Sequence, residues 1–177
     1  GEAVFGTGWS YAPGATNLTG LATGNYTGGT TVQAGTLSVS NGTIRSDAVV
    51  AIAAGAMLNL SGSAVTLSEV SGSGIVSNGV LTAGYRCHVA STNNDCIALA
   101  DVTIPAGLTV TFDPAPGYAL TNRQVLAVAT RSGTTDLNLS AWRARNVGVK
   151  QSASFTLVDN TVYANVFFSG GTLMGIR

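Results

Sequence analysis

The sequence predicts an all-β fold in which short strands and tight corners stack layer upon layer, closed by a more aromatic C-terminal region. Three observations predict it. An apolar β-branched residue three places before a glycine, followed by an alternating apolar pair, occurs repeatedly. Val32-Gln33-Ala34-Gly35 leads into Leu37 and Val39, Ile52-Ala53-Ala54-Gly55 into Leu58 and Leu60, and Ile104-Pro105-Ala106-Gly107 into Val110 and Phe112. Each such strand–corner–strand unit is too thin to bury its own apolar face and must stack on its copies. Glycine fills 23 of the 177 positions, well above the usual ~7%. Charged residues make up 9% against 45% hydrophobic, where an ordinary soluble domain carries roughly 25% charge. Ser, Thr, Asn and Gly take the place of charge, a composition that favours strands and turns over helices.

Taken in order, residues 1–24 form an N-terminal segment that serves as a cap or an exchanged strand, with Phe5, Trp9 and Tyr11 among Gly, Thr and Ala. Residues 25–112 form the stack. No aromatic residue occurs from Thr27 to Gly84, as expected where side chains of successive layers sit above one another at about 4.8 Å. Thr36–Ser40 and Ala64–Val70 alternate with period two, apolar side inward. Ala48–Met57 invites helix by its alanines. Val49, Val50 and Ile52 are β-branched, however, no capping box precedes them, and Gly55 interrupts, so strand is predicted. Asn41-Gly42, Ser61-Gly62, Ser71-Gly72-Ser73-Gly74 and Asn78-Gly79 are turn signals. At about 20–25 residues per layer the chain holds about seven layers.

Residues 113–177 change texture. Pro114, Pro116 and Gly117 make a break, and Gln124–Thr130, Ser154–Val158 and Val162–Phe168 read as strands, with a turn at Asn160. Trp142, Phe155, Tyr163, Phe167 and Phe168 fill a broader end to the stack. The final strand, Thr172–Arg177, presents Leu173, Met174 and Ile176. Left free it would invite pairing, so its partner lies in its own subunit or in a neighbour.

The chemistry is sparse. Cys87 and Cys96 are an even pair at short spacing and predict one disulfide closing the loop His88–Asp95, in an oxidising, extracellular setting; the other reading is a pair of buried free thiols. His88 is the one histidine, so a multi-histidine metal centre is excluded. No G-x-S-x-G elbow supports a serine nucleophile. The eight carboxylates stand beside turn-forming residues, which makes them turn and loop acids; Asp95 and Asp101 with Arg86 are the best set for a polysaccharide lyase. Asn93-Asn94-Asp95 reads as turn capping ahead of a weak calcium site. Triplets of the N-x-S/T form begin at Asn17, Asn25, Asn41, Asn59 and Asn138, as chance allows in this composition. Net charge is zero, and the one basic cluster, Arg143, Arg145 and Lys150, reads as a solvated face; nucleic acid is excluded as a partner. The longest apolar run, Ala48–Leu58, is too short to cross a bilayer, which needs about 20 residues. The chain opens on Gly1, not Met, which implies a removed leader or an excised piece.

The stretch Tyr26-Thr27-Gly28-Gly29-Thr30-Thr31-Val32, followed by Gly35-Thr36-Leu37-Ser38-Val39, resembles the autotransporter-associated β-strand repeat of large secreted bacterial surface proteins. The match is specific over about fifteen residues, runs loosely over about half the chain, and departs from the family in three ways. The full motif occurs once, a cysteine loop interrupts the stack, and no membrane barrel follows. The resemblance implies a right-handed parallel β-helix (β-solenoid) displayed outside the cell without catalytic machinery. The expected function is therefore a non-enzymatic extracellular structural protein, secreted or on the bacterial cell surface, that needs no cofactor or metal. It associates with its own copies end to end in a fibre or array through Phe5, Trp9, Tyr11, Leu173, Met174 and Ile176. The alternative is an adhesin binding glycan or host protein, with Trp9, Tyr85 and Trp142 stacking on sugar rings. A lyase or hydrolase is the third reading.

Overall fold

The computed structural model describes residues 29–39 and 44–168, together with the backbone of three short strands near the N-terminus. Those three are β1 (Val4–Phe5), β2 (Trp9–Tyr11) and β3 (Ala15–Asn17). They are followed by β4 (Thr30–Val32), β5 (Thr36–Ser38), β6 (Val49–Ile52), β7 (Met57–Asn59), β8 (Ala64–Ser71), β9 (Ile75–Val89), β10 (Ile97–Thr103), β11 (Thr109–Pro114), β12 (Val125–Ser132), β13 (Arg143–Arg145), β14 (Gln151–Val158) and β15 (Thr161–Phe168). One 3₁₀ turn, Leu139–Ala141, is the only helical element among the described residues. The molecule is all-β, and its strands belong to one 15-stranded mixed sheet.

Most of that sheet is parallel and falls into three ladders. In the first, Trp9 pairs with Thr30, Thr30 with Val50, Val50 with Val70, Val70 with Tyr85, Tyr85 with Val110 and Val110 with Ala144. The second runs Thr16, Leu37, Leu58, Val76, Leu99, Arg131. The third is shorter: Ala64 pairs with Val80, Val80 with Thr103, and Thr103 with Asp136. The middle stretches of the first two columns place apolar on apolar. Val50, Val70, Tyr85 and Val110 are fully buried in the first, and Leu58, Val76 and Leu99 in the second. All three ladders share one apolar core, where each such side chain contributes roughly 1.5–3 kcal/mol of burial.

The corners between ladders use glycine, with Ser, Asn and Asp, where the backbone takes a positive φ. Passing from the second ladder to the third, successive layers place Ser61 and Gly62, then Asn78, then Asp101, then Gly133 in the left-handed region. Between the first and second ladders Gly35, Gly55 and Gly72 do the same. At Gly72 the requirement is double, because φ is 89° and a β-carbon would collide with the backbone oxygen of Ile52 in the layer beneath. The predicted turn at Asn78-Gly79 is thus a corner inside a continuous strand. β9 pairs in the second ladder at Ile75–Ser77, in the third at Val80–Thr82 and in the first at Gly84–Val89. The Ala48–Met57 stretch is strand up to Ile52 and then a corner at Gly55, not helix.

The parallel order ends in antiparallel pairs. β1 pairs antiparallel with β2 at the N-terminal side. At the other end β15 lies antiparallel on β12, with a bulge between Ala127 and Ala129, and β14 lies antiparallel on β15. This β14–β15 hairpin closes the core. Phe155 meets the ring of Trp142 edge-on at 5.3 Å, and the Trp142 indole N–H donates to the Leu137 carbonyl at 2.8 Å.

Candidate functional site

The cysteine segment departs from expectation. Cys87 and Cys96 are both free thiols, so no disulfide closes the loop. Cys87 points into the core from β9, in register with Phe112. The excursion needs no covalent staple because it is itself a hairpin. Asp95 N–H donates to the His88 carbonyl at 2.8 Å, Ala90 N–H to the Asn93 carbonyl at 2.8 Å, and Val89 bridges Asn94. Asn94 ties it to the body by donating to the Ala127 carbonyl at 2.7 Å. Burial pushes the Cys87 thiol up to about 12, with the neighbouring Asp95 charge acting the same way. Burial also raises Cys96. Neither is a reactive thiolate at neutral pH.

The set proposed for lyase chemistry is engaged elsewhere. Arg86 pairs with Glu69 across the first ladder at 2.7 Å. Asp95 accepts from Ser73 Oγ at 3.0 Å and from the His88 backbone at 3.2 Å. Asp101 accepts the Thr134 N–H at 2.9 Å and its hydroxyl at 3.1 Å, bonds that hold its carboxyl below the usual range. All three carboxylate and guanidinium partnerships fix corners or strands. Among the described residues no group of three His, Cys, Asp or Glu side chains converges to hold a metal ion, and no helix is long and apolar enough to cross a membrane.

Of the aromatic candidates for sugar stacking, Tyr85 is fully buried, its hydroxyl donating to the Gly72 carbonyl at 3.1 Å. Trp142 is buried beneath the hairpin. For Trp9, and for the assembly candidates Phe5 and Tyr11, the described backbone places all three on the paired strands β1 and β2. Leu173, Met174 and Ile176 lie outside the described residues.

Among the described residues, what remains available is the end of the sheet at β14 and β15. The outer face of β12–β15–β14 carries Val125, Ala127, Tyr163, Asn165 and Phe167, with Ser154 and Thr156 in register beside Asn165 and Tyr163. No charge interrupts it. Val125 and Phe167 are 57% and 42% exposed. A cavity of about 260 Å³ lies nearby between Tyr118, Leu120, Val147 and Gln151. The Gln151 amide nitrogen donates to the Leu120 carbonyl at 3.2 Å, while its oxygen is buried without a partner. Only its aromatics marked this end in the sequence, and β14 begins three residues before the run predicted at Ser154. Comparison with protein families, with curated proteins and with solved structures finds no match to this chain.

Proposed function

We propose that this chain is a right-handed parallel β-helix of the autotransporter-associated repeat type, acting as a non-enzymatic structural element on a bacterial surface and associating with its own copies through the ends of its sheet. One observation carries the reading. Side-chain columns such as Thr30–Val50–Val70–Tyr85–Val110 run unbroken through successive layers, so the backbone of each layer is satisfied only by its neighbours. A stack of that kind has open hydrogen-bonding groups only at its terminal strands, and those strands are where copies would meet. The low charge and the Thr- and Gly-rich composition favour an extracellular setting; the disulfide expected in support of it is not formed. End-to-end growth through the chain termini, as the sequence suggests, uses Phe5, Trp9 and Tyr11 at one end and Leu173, Met174 and Ile176 at the other.

Light scattering and electron microscopy of the pure protein test the proposal. Concentration-dependent dimers or filaments are expected, and a monodisperse monomer near 1 mM would reject end association. The adhesin reading is weaker, because two of its three aromatic platforms are buried. It would be revived by binding on a glycan array.

A further inference from the structure

β14 is the longest open strand edge among the described residues: it hydrogen-bonds β15 on one side and no described strand on the other. Its eight residues, Gln-Ser-Ala-Ser-Phe-Thr-Leu-Val, contain no charge, glycine or proline. Open edges are ordinarily blunted by such residues, because a row of unpaired N–H and C=O groups templates another strand. The short edge of β13 is blunted in this way. It carries exposed Arg143 and Arg145, which would repel the same edge of a second molecule.

The flanks of β14 add direction. Lys150 precedes the strand and Asp159 follows it; both are exposed, and neither has an ion-pair partner among the described residues. A strand with a cation before it and an anion after it is complementary to its own reverse. Parallel self-pairing would set lysine beside lysine and aspartate beside aspartate. Antiparallel self-pairing sets each lysine near the other molecule's aspartate.

We infer that β14 pairs antiparallel with β14 of a second copy across a twofold axis, with Lys150 of each copy beside Asp159 of the other. A twofold axis normal to the sheet places one residue opposite its own copy, here Ser154 or Phe155, and makes the interface isologous. The caps β12–β15–β14 of the two molecules then form one six-stranded sheet. Their uncharged outer faces, with Phe167, Asn165 and Tyr163 beside Ser152, Ser154 and Thr156, become continuous. The inner faces keep Phe155 against Trp142. The inference rests on the reading above only in that copies meet through the sheet's ends; it names the end, the strand and the symmetry.

The test uses the full chain in low salt, with oligomeric state read by light scattering and register by oxidative cross-linking of Ser154→Cys alone and mixed with Thr156→Cys. A dimer is expected, with a covalent link at Ser154→Cys to itself or to Thr156→Cys. Lys150→Glu and Asp159→Lys should each weaken the dimer about tenfold, as like charges replace opposite ones. The double variant Lys150→Glu/Asp159→Lys should restore it. Both side chains are exposed, but Asp159 sits at a φ of 52° that lysine tolerates less well, so circular dichroism establishes that each variant is folded, and the restored dimer of the double variant separates charge from strain. Larger assemblies that ignore both single charge variants and give no link at Ser154→Cys would overturn the β14 joint while leaving end association standing. A monomer throughout would overturn both.

Discussion

Asp101 shows how a single side chain sets a corner. Its φ of 55° lies in the left-handed region, and its carboxylate bonds Thr134 in the next layer while occupying the space that a β-carbon at Gly133 would fill. Asp101→Ala removes both bonds and leaves alanine where L-residues are strained, so its melting temperature should fall by a few degrees. Asp101→Asn, which tolerates this geometry, should melt close to the parent. The carboxyl is held below its ordinary 3.8 chiefly by the Thr134 N–H. Its share of stability is therefore complete above pH 3.8 and is lost as pH falls through the lower folded value. Cys87 runs the other way. Its thiol is raised from 9.0 to about 12, so its contribution is complete below pH 9 and declines as pH rises towards 12. At pH 8 an aromatic disulfide reagent should leave Cys87 untouched in the folded protein and titrate both thiols after unfolding. The sequence carried free thiols only as its second reading, after a disulfide, because a nine-residue spacing fits a backbone-closed hairpin as well as a bridged loop.

Among the elements, corners and caps carry separable loads. Gly72→Ala combines a φ of 89° with a collision against the Ile52 carbonyl. It should destabilise the fold by about 2 kcal/mol or more, seen as a lower denaturant midpoint with the slope unchanged. Phe155→Ala strips the hairpin's contact with Trp142. It should lose about 2 kcal/mol and shift tryptophan emission to longer wavelength as water reaches the indole. Two strands were legible as period-two runs, β5 within Thr36–Ser40 and β8 over Ala64–Val70, and others from their β-branched residues, as in Ala48–Met57. β9 was not, because Asn78-Gly79 has the composition of a chain reversal. Here the same residues turn the strand through a corner while its ladder bonds continue on both sides. The antiparallel sense of β15 was also hidden, since inward and outward alternation is the same for either direction.

For the whole molecule, stability is a sum of layer-on-layer contacts. In the dissociated monomer, hydrogen exchange should therefore be slowest in the central strands β8, β9 and β10, paired on both sides, and fast along β13 and β14, each paired on one side only. The all-β class and the layered pattern could be read from composition and from the Val32–Gly35, Ile52–Gly55 and Ile104–Gly107 units. The available end could not, because it depends on which strand is left without a neighbour, and that is a property of topology. Thr30, Val50 and Val70 occupy equivalent seats at equal intervals of 20 residues. A duplication or loss of the segment 50–69 would thus alter the height of the protein while leaving the layers on either side of it as they are. Such a change adds or removes one storey without redesign of the storeys above and below it.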